Sequence, residues 1–525
     1  MNEIISTPSY DQSLPQYIYS KILYFCYLDT ATNNNWKRSL CLVCKSFFKR
    51  VSSVLVTDIS TKTLANPDFR QHYNNHLSPL KTFTSLLCGI NRLTDLLNID
   101  PQLIADLFAQ QTITKLILRR LGNVNNNNNN NNNSVSDQER ESTLATLFSG
   151  LTNGPLEKIY LDLPNNDVPD YLSVMRGFTF QYLSILSIIF SQDIHGHDTI
   201  LSLLESVAPT MRKIQFISRD DESATITLEP SHRLMTTNFF EQLFGHLSKS
   251  RLRSLHIRSL YVGDLQPFLR GLSLMKHLTT LKIPLPSNFY QLPEIREFHA
   301  GLLEFIKSSN ISIMSIPFSI ESTMLKALSD NPNITTLRVM LGGSAKLSDR
   351  LQRLTLREDI TPSVFSSLMS MNPATNIVRL ILLNHRRYIT KDNFDQFLSF
   401  VKSNKNLTRL YLCDYLYLSD KQKETIIPLL IRDTRIQTLM ISLSDDMMPT
   451  NYIQEKYRRT KKEFEYLQFL LNQLVLYPQS TVDGLYLDVT NSKALQKHMV
   501  AKQVDTGDFK VSQSLGWILH FIRIK

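Results

Sequence analysis

One six-residue pattern recurs along most of this chain and limits the folds available to it. An apolar residue, usually Leu or Ile, stands at positions 1, 4 and 6 of each window. The thirteen windows begin at Ile113, Leu156, Leu183, Met211, Leu252, Leu278, Ile311, Ile334, Leu351, Ile377, Leu407, Ile436 and Val482. Because side chains alternate between the two faces of a strand, positions 4 and 6 point to one side. Position 1 turns inward where the strand begins, so each window predicts a short strand with one buried face.

The spacing of the windows predicts how the strands are connected. Most windows begin 23 to 33 residues after the previous one, which leaves room for a helix. Apolar residues at helical spacing between 394 and 401 predict one such helix. Strand–helix–strand units give parallel strands that share one core with their neighbours. The step from Ile334 to Leu351 is only 17 residues, so one window is false or this repeat lacks its helix. An ordinary α/β sheet is the alternative.

Over residues 110–490 the windows resemble leucine-rich repeats. The resemblance implies an α/β solenoid with parallel strands on a concave face and helices on the outside. One feature departs from the family. Leucine-rich repeats place Asn or Cys three residues after the last inward apolar residue, whereas this chain has Leu121 after the first window and Pro164 after the second. We therefore expect irregular turns after the strands.

The N-terminal residues 10–58 lack the window and predict two helices. Ser13 can cap the first helix, and Pro15 suits its first turn. Four apolar residues share one face of the second helix: Leu40, Val43, Phe47 and Val51. An all-α module of this kind would precede the solenoid.

This module resembles the F-box, a helical unit that binds the Skp-type adaptor of cullin-based ubiquitin ligases. The matching residues are Leu14-Pro15, Ile18, Ile22-Leu23 and the Leu-x-x-Val-Cys-Lys-x-Phe pattern from Leu40 to Phe47. The resemblance implies that five residues contact the adaptor: Leu14, Pro15, Ile18, Ile22 and Leu23. Tyr17 stands where the family usually has an acidic residue, and Phe47 where it often has Trp. The alternative is a helical cap that seals the first repeat.

The remaining segments complete the predicted domain organisation. Residues 1–9 are expected to be a flexible N-terminus, 59–109 a helical linker and first cap, and 491–525 a C-terminal cap. The solenoid at 110–490 contains an Asn-rich insertion at 122–140, with nine consecutive asparagines from Asn125 to Asn133. This run has no apolar side chains to bury, so it predicts a disordered loop.

Composition and motifs argue against an enzyme or a cofactor-binding protein. There are only 15 glycines and five cysteines in 525 residues, and no P-loop, dinucleotide fingerprint or nucleophile elbow. Cys41 and Cys44 have metal-ligand spacing but no second pair, so buried thiols on a helix are the simpler interpretation. With no secretory signal and no membrane-length apolar run, we expect a cytoplasmic or nuclear protein.

The outward positions of the windows predict a partner-binding site. Position 3 places Arg353, Arg379 and Arg409 on successive strands, where they would form a column on the concave face. Arg338 and Arg357 are nearby in the sequence pattern, and Tyr411 lies beside Arg409. Arginine clusters recognise phosphates and carboxylates, so an acidic or phosphorylated segment is the expected ligand. Alternatively, exposed strand positions simply favour long polar side chains.

Together these features predict a non-catalytic protein-interaction protein. An F-box followed by a repeat array implies a substrate receptor that docks on the Skp-type adaptor and cullin while its solenoid binds an unidentified target. One alternative is a leucine-rich-repeat-like scaffold with no role in ubiquitin transfer. A weaker alternative is an RNA-associated basic solenoid, because the net charge is +10. Under the leading hypothesis, we expect the protein to bind neither a membrane nor nucleic acid.

Overall fold

A computed structural model describes much of the repeat region and a few segments outside it. The described residues are 56–60, 66, 68, 71, 82–89, 113–119, 137–152, 154–162, 174–190, 197–218, 234–235, 237–258, 261–262, 265–283, 295–343, 346–356, 361–372, 375–382, 389–390, 392–412, 420–432, 434–442, 464–474, 476–477, 480–488, 509–514 and 518–523. The chain divides into two compact units, one of residues 1–163 with 173–183 and one of residues 164–172 with 184–525.

The elements described in the first unit include four parallel strands and a long helix. Its elements are β1 (Val56–Ser60), β2 (Thr82–Gly89), β3 (Lys115–Arg119), α1 (Asp137–Thr152) and β4 (Lys158–Asp162). The strands pair in chain order from β1 to β4. Leu86 lies opposite Leu116, which lies opposite Ile159, and all three side chains are buried. These strands therefore share one apolar layer.

The first unit corrects two of the predicted boundaries. The segment 59–109, predicted to be helical, contains the last two residues of β1 and all of β2. Its Phe83-x-x-Leu86-x-Cys88 has the spacing of the window, but Cys88 stands at the last position, where the thirteen windows have Leu, Ile, Val or Phe. The helix α1 begins at Asp137, so the last residues of the predicted disordered insertion 122–140 are helical. The asparagine run, and residues 10–55 of the F-box-like module, lie outside the described residues.

The second unit is a series of strand–helix repeats followed by two antiparallel strands. Its elements are β5 (Ile185–Phe190), α2 (His197–Val207), a 3₁₀ turn (Ala208–Thr210), β6 (Lys213–Ser218), β7 (Leu234–Met235), α3 (Thr237–Ser248), β8 (Ser254–Arg258), β9 (Tyr261–Val262), α4 (Leu265–Leu274), β10 (Thr280–Lys282), α5 (Ile295–Ser308), β11 (Ile313–Ile320), α6 (Ser322–Asp330), β12 (Thr336–Leu341), β13 (Arg353–Leu356), α7 (Pro362–Met371), β14 (Arg379–Leu382), α8 (Phe394–Ser403), β15 (Arg409–Leu412), α9 (Asp420–Arg432), β16 (Thr438–Ser442), β17 (Gly484–Asp488), β18 (Phe509–Ser514) and β19 (Ile518–Arg523).

Eleven of these strands form a parallel array in chain order. The order is β5-β6-β8-β10-β11-β12-β13-β14-β15-β16-β17, and each strand pairs with the next. The two-residue strands β7 and β9 pair separately. At the far end, β19 pairs antiparallel with β17, and β18 pairs antiparallel with β19. The predicted C-terminal cap therefore contributes two strands that cover the edge of β17.

The buried face of the strands is built from the predicted window positions. Each of the thirteen windows coincides with a strand, and no residue at positions 1, 4 or 6 exposes more than 4% of its surface. Burying a Leu or Ile side chain contributes about 1.5–3 kcal/mol, so the stacked triads dominate the stability of the array. The α/β solenoid of parallel strands with leucine-rich-repeat-like windows is confirmed.

The short repeat between Ile334 and Leu351 lacks its helix. Both windows are strands, because Leu337 of β12 lies opposite Leu354 of β13 in a parallel pair. Among the described residues from 342 to 352, none is helical. The described residues of this crossing therefore include no helix between β12 and β13, and α7 is the next helix along the chain after α6.

Buried asparagines organise the turns that precede several strands. Asn331, Asn372 and Asn404 follow the last residues of α6, α7 and α8, and each exposes 4% of its surface or less. The Nδ2 group of Asn331 donates to the carbonyl oxygens of Ile306 and Ser309, at 2.6 and 3.1 Å. The asparagine that leucine-rich repeats place after the strand is replaced here by asparagines that satisfy backbone groups before it.

Candidate protein-binding face

Positions 3 and 5 of the windows define the open face of the second unit. Because positions 4 and 6 are buried, the side chains at 3 and 5 point away from the core. Across the eleven parallel strands this face has twenty-two positions, from Ile185 and Ser187 on β5 to Gly484 and Tyr486 on β17. Six of these positions are Lys or Arg, and none is Asp or Glu. The open face is therefore uniformly basic where it is charged.

The three predicted arginines are direct neighbours on this face. Arg353 of β13 lies opposite Arg379 of β14, which lies opposite Arg409 of β15. Arg353 and Arg409 are exposed, and Arg379 is half-buried. Among the described residues, no carboxylate forms an ion pair with any of the three. The column was predicted correctly as geometry, because equivalent window positions align in a parallel register.

Arg379 is held by an aromatic ring on the next strand. Its Cζ atom lies 4.7 Å from the centre of the Tyr411 ring, a cation–π contact. Tyr411 faces Ile381 in the strand register, so it is diagonal to Arg379 and two residues beyond Arg409. The sequence placed Tyr411 beside Arg409, but the ring supports the arginine of the neighbouring strand. The buried Nε of Arg379 has no hydrogen-bond acceptor among the described residues.

The other two predicted arginines have different outcomes. Arg338 is exposed at position 5 of β12, opposite Thr355 of β13. It is therefore diagonal to Arg353 rather than part of the column, and its charge extends the basic surface toward the earlier strands. Arg357 lies outside the described residues.

Two lysines on the same face were not predicted. Lys213 stands at position 3 of β6 and Lys282 at position 5 of β10. Burial, and then repulsion from Lys213 and Arg338, hold the pKa of Lys282 below its usual value. One strand, β8, lies between Lys213 and Lys282, and one strand, β11, lies between Lys282 and Arg338. The signal that would have found them is Lys at outward window positions, which a search for arginine alone overlooks.

The first unit repeats the diagonal contact on a smaller scale. The Nζ atom of Lys115, at position 3 of β3, lies 5.3 Å from the centre of the Tyr160 ring on β4. Lys158 lies opposite Lys115 in the register, and Glu157 is exposed one residue earlier. A position 3 cation over a position 5 tyrosine is thus a recurring feature of this chain.

A cavity of about 540 Å³ lies where the short repeat lacks its helix. It is lined mainly by polar residues of α6 and by residues 346–349, including Lys326, Asp330, Lys346 and Asp349. Charges of both signs line it, so it does not select an anion. Among the described residues, no group of three His, Cys, Asp or Glu side chains could hold a metal ion. The helices of the described part include none long and apolar enough to cross a membrane.

Comparison with known proteins gives similarity to solved structures but not to curated sequences. No protein-family model matches the chain, and no curated protein matches its sequence. Among solved structures, the chain is similar to the crystal structure of the Rad7 and Elc1 complex in yeast, with a TM-score of 0.38 and 15% sequence identity, over 84% of this chain and 92% of that chain. The solenoid fold described above rests on strand register and burial rather than on this similarity.

Proposed function

We propose that this chain is a non-catalytic interaction protein that serves as the substrate receptor of a cullin-type ubiquitin ligase. In this proposal the N-terminal module docks on the Skp-type adaptor, and the open face holds an acidic or phosphorylated segment of the target. Another subunit performs the chemistry, and this chain needs no cofactor. It would act in the cytoplasm or the nucleus.

The observation that carries target binding is the column of Arg353, Arg379 and Arg409. Neighbouring strands lie about 4.8 Å apart, so three guanidinium groups repel one another at close range. An anionic ligand relieves this repulsion, and guanidinium groups bind carboxylates and phosphates through paired hydrogen bonds. Arginine and tyrosine are also the side chains that most often dominate binding energy at interfaces. A protein segment bearing negative charge is therefore the best-fitting ligand.

Target binding is tested by removing the column from the full-length protein. The triple variant Arg353→Ala, Arg379→Ala and Arg409→Ala should lower affinity for a captured target about 100-fold, because three arginines that each contribute about 1 kcal/mol together remove about 3 kcal/mol of binding free energy. The matched control removes three exposed cations of the helices: Arg270, Lys307 and Lys402. Unchanged binding of every captured partner by the triple variant would contradict the site.

The ligase role is supported by the resemblance of residues 10–58 to the F-box. Full-length tagged protein should co-purify with the Skp-type adaptor and a cullin. The double variant Leu14→Asp and Ile18→Asp should lose both, because a carboxylate in an apolar interface is costly to desolvate. The control Asn34→Asp adds a charge in the same module outside the proposed interface.

The result also separates the alternatives. A wild-type protein that captures targets through the open face but never the adaptor or cullin would be a scaffold without a role in ubiquitin transfer. Preferential capture of RNA, with affinity that falls steeply as salt rises, would instead favour the RNA-associated solenoid.

A further inference from the structure

The cations of the open face form a path rather than a single cluster. We call the six Lys and Arg residues of this face the basic track: Lys213, Lys282, Arg338, Arg353, Arg379 and Arg409. They stand on β6, β10, β12, β13, β14 and β15. We call β6 to β10 the lysine end, where successive cations are two strands apart, and β12 to β15 the arginine end, where they are one strand apart. The positive charge extends from β6 to β15, with no Lys or Arg at these positions of β8 and β11, and is densest from β12 to β15.

The dimensions of the track define the ligand that could cover it. From β6 to β15 there are seven strand intervals of about 4.8 Å, or roughly 34 Å. An extended polypeptide advances about 3.3 Å per residue, so about ten residues span the track. A single phosphate or carboxylate reaches only one or two of the six cations.

The residues between the cations suit a peptide that crosses the strands. Ser254 and Thr280 supply hydroxyl groups at intervening positions of the lysine end, Ser315 does so on β11, and Thr336 and Thr355 do so near the arginines. A hydroxyl can donate to a backbone carbonyl or accept from a backbone amide, so it is compatible with any peptide sequence. None of the twenty-two open-face positions carries a carboxylate that would repel an acidic ligand.

We infer that the basic track binds one extended acidic or multiply phosphorylated protein segment of about ten residues, which runs across the strands from β6 to β15. This inference rests on the proposed function, because it specifies the target segment. The densest negative charge of that segment lies over β13 to β15. The lysines contribute affinity only to ligands long enough to reach them.

The aromatic content of the face favours a peptide over single-stranded nucleic acid. Proteins that bind single strands stack successive bases on several aromatic side chains. The twenty-two positions contain two tyrosines, Tyr411 and Tyr486, and the Tyr411 ring already lies against Arg379. A basic face with so few open rings offers charge to a ligand but little base stacking.

The test measures the binding of fluorescein-labelled glutamate peptides to the full-length protein by fluorescence polarisation. The probes are peptides of four and ten Glu residues, with a ten-residue Gln peptide as the uncharged control. We expect the ten-residue Glu peptide to bind at least about tenfold more tightly than the four-residue one, because it reaches more ion pairs. The double variant Lys213→Gln and Lys282→Gln should weaken the longer peptide about fivefold and change the shorter one less than about twofold.

The matched control is Lys307→Gln with Lys326→Gln, which removes two exposed lysines from α5 and α6. Equal affinities of the two Glu peptides, with no effect of the Lys213 and Lys282 variant, would overturn the track. If Arg379→Gln still weakened both peptides in that case, the arginine site of the proposed function would survive. If no open-face variant altered any peptide, the proposed site would fail as well. Tighter binding of a ten-nucleotide uridine RNA, lost in the same variants, would replace the peptide by nucleic acid.

Discussion

The lysine end and the arginine end of the second unit share one buried core but differ in how their repeats are joined. In β6 to β10 and in β12 to β15, window positions 1, 4 and 6 are equally buried. The helices beside the lysine end pack through phenylalanines, whereas the turns of the arginine end are held by buried asparagines. One repeating core therefore tolerates different side chains in the helices and turns that join its strands.

Packing at the lysine end depends on close helix contacts. Phe240 of α3 is fully buried, with its ring 5.8, 6.3 and 5.6 Å from those of Phe239, Phe244 and Phe268. Gly271 of α4 lies so close to Phe244 that an added Cβ would stand 2.0 Å from the ring. The aromatic rings therefore fill the space between α3 and α4, and glycine permits their approach.

Polar contacts hold the turns at the arginine end, in addition to apolar packing between its helices. The Nδ2 group of Asn404 donates to Thr375 Oγ1 at 2.8 Å, and its Oδ1 accepts from the backbone of Asn406 at 3.3 Å. Asn372 accepts from the backbone of Leu347 at 2.6 Å, which anchors the loop of the repeat that lacks its helix. Each asparagine satisfies groups that are buried away from water, so its loss exposes an unpaired donor or acceptor.

The largest expected effect separates the two ends by stability. Phe240→Ala should lower the free energy of unfolding by about 3–5 kcal/mol, because it removes a buried ring and leaves a cavity among three others. Urea unfolding measures the loss, and hydrogen exchange locates it. Exchange should accelerate in α3, α4 and β8 more than in β13 to β15, since repeats are stabilised mainly by their neighbours.

The control for Phe240 is Leu274→Ala on α4, whose side chain is 53% exposed. This substitution should change stability by less than about 0.5 kcal/mol. Equal acceleration of exchange throughout the second unit would show that its repeats unfold as one block. The two ends would then not differ in their local stability.

A smaller effect is expected at the arginine end from Asn331→Ala. The substitution leaves the carbonyl oxygen of Ile306 without its 2.6 Å partner and should cost about 1–3 kcal/mol. Asn333→Ala is the matched control, because Asn333 is exposed and its side chain makes only a 3.4 Å contact with the Ser309 carbonyl. If both substitutions had the same effect on urea unfolding, the buried asparagine would not be the feature that stabilises this turn.

The core of the fold could be predicted from the sequence because its signal is periodic. Every window position predicted to be buried is buried. The 17-residue step left two possibilities, a false window or a repeat without its helix, and the strand pairing of both windows supports the second. The asparagine turns were missed because Asn331 and Asn404 stand three residues before a window, whereas leucine-rich repeats place their asparagine after the strand. Strand β2 was missed because the thiol of Cys88 occupies the last of its three window positions, where the thirteen windows have Leu, Ile, Val or Phe.

The site was only partly predictable, for a geometric reason. Arg353, Arg379 and Arg409 share one window position, so a parallel register alone brings them together. The contact between Arg379 and Tyr411 is diagonal and depends on rotamers, which the sequence does not encode directly. Lys282 and Arg338 stand on strands that are separated by β11, and this placement is known only once the strand order is known.

The smallest expected effect concerns the charge balance of the open face at its lysine end. The pKa of Lys282 is lowered by burial first and by Lys213 and Arg338 second, so its charged form is disfavoured in the folded protein. The resulting destabilisation is fully present at pH values below the folded pKa. It fades as the pH rises above that pKa, and it is absent above the ordinary lysine pKa of about 10.4.

Lys282→Gln should therefore stabilise the protein slightly at pH 7, by about 0.5 kcal/mol or less, and should have no such effect near pH 11. Thermal unfolding at low and high salt separates the two causes, because about 0.5 M NaCl screens the repulsion from Lys213 and Arg338 but not the cost of burial. Lys326→Gln on α6 is the control for the loss of one exposed lysine. A stabilisation that is the same at both salt concentrations would mean that burial alone lowers the pKa of Lys282. The cations of the lysine end would then not repel one another as we infer for those of the arginine end.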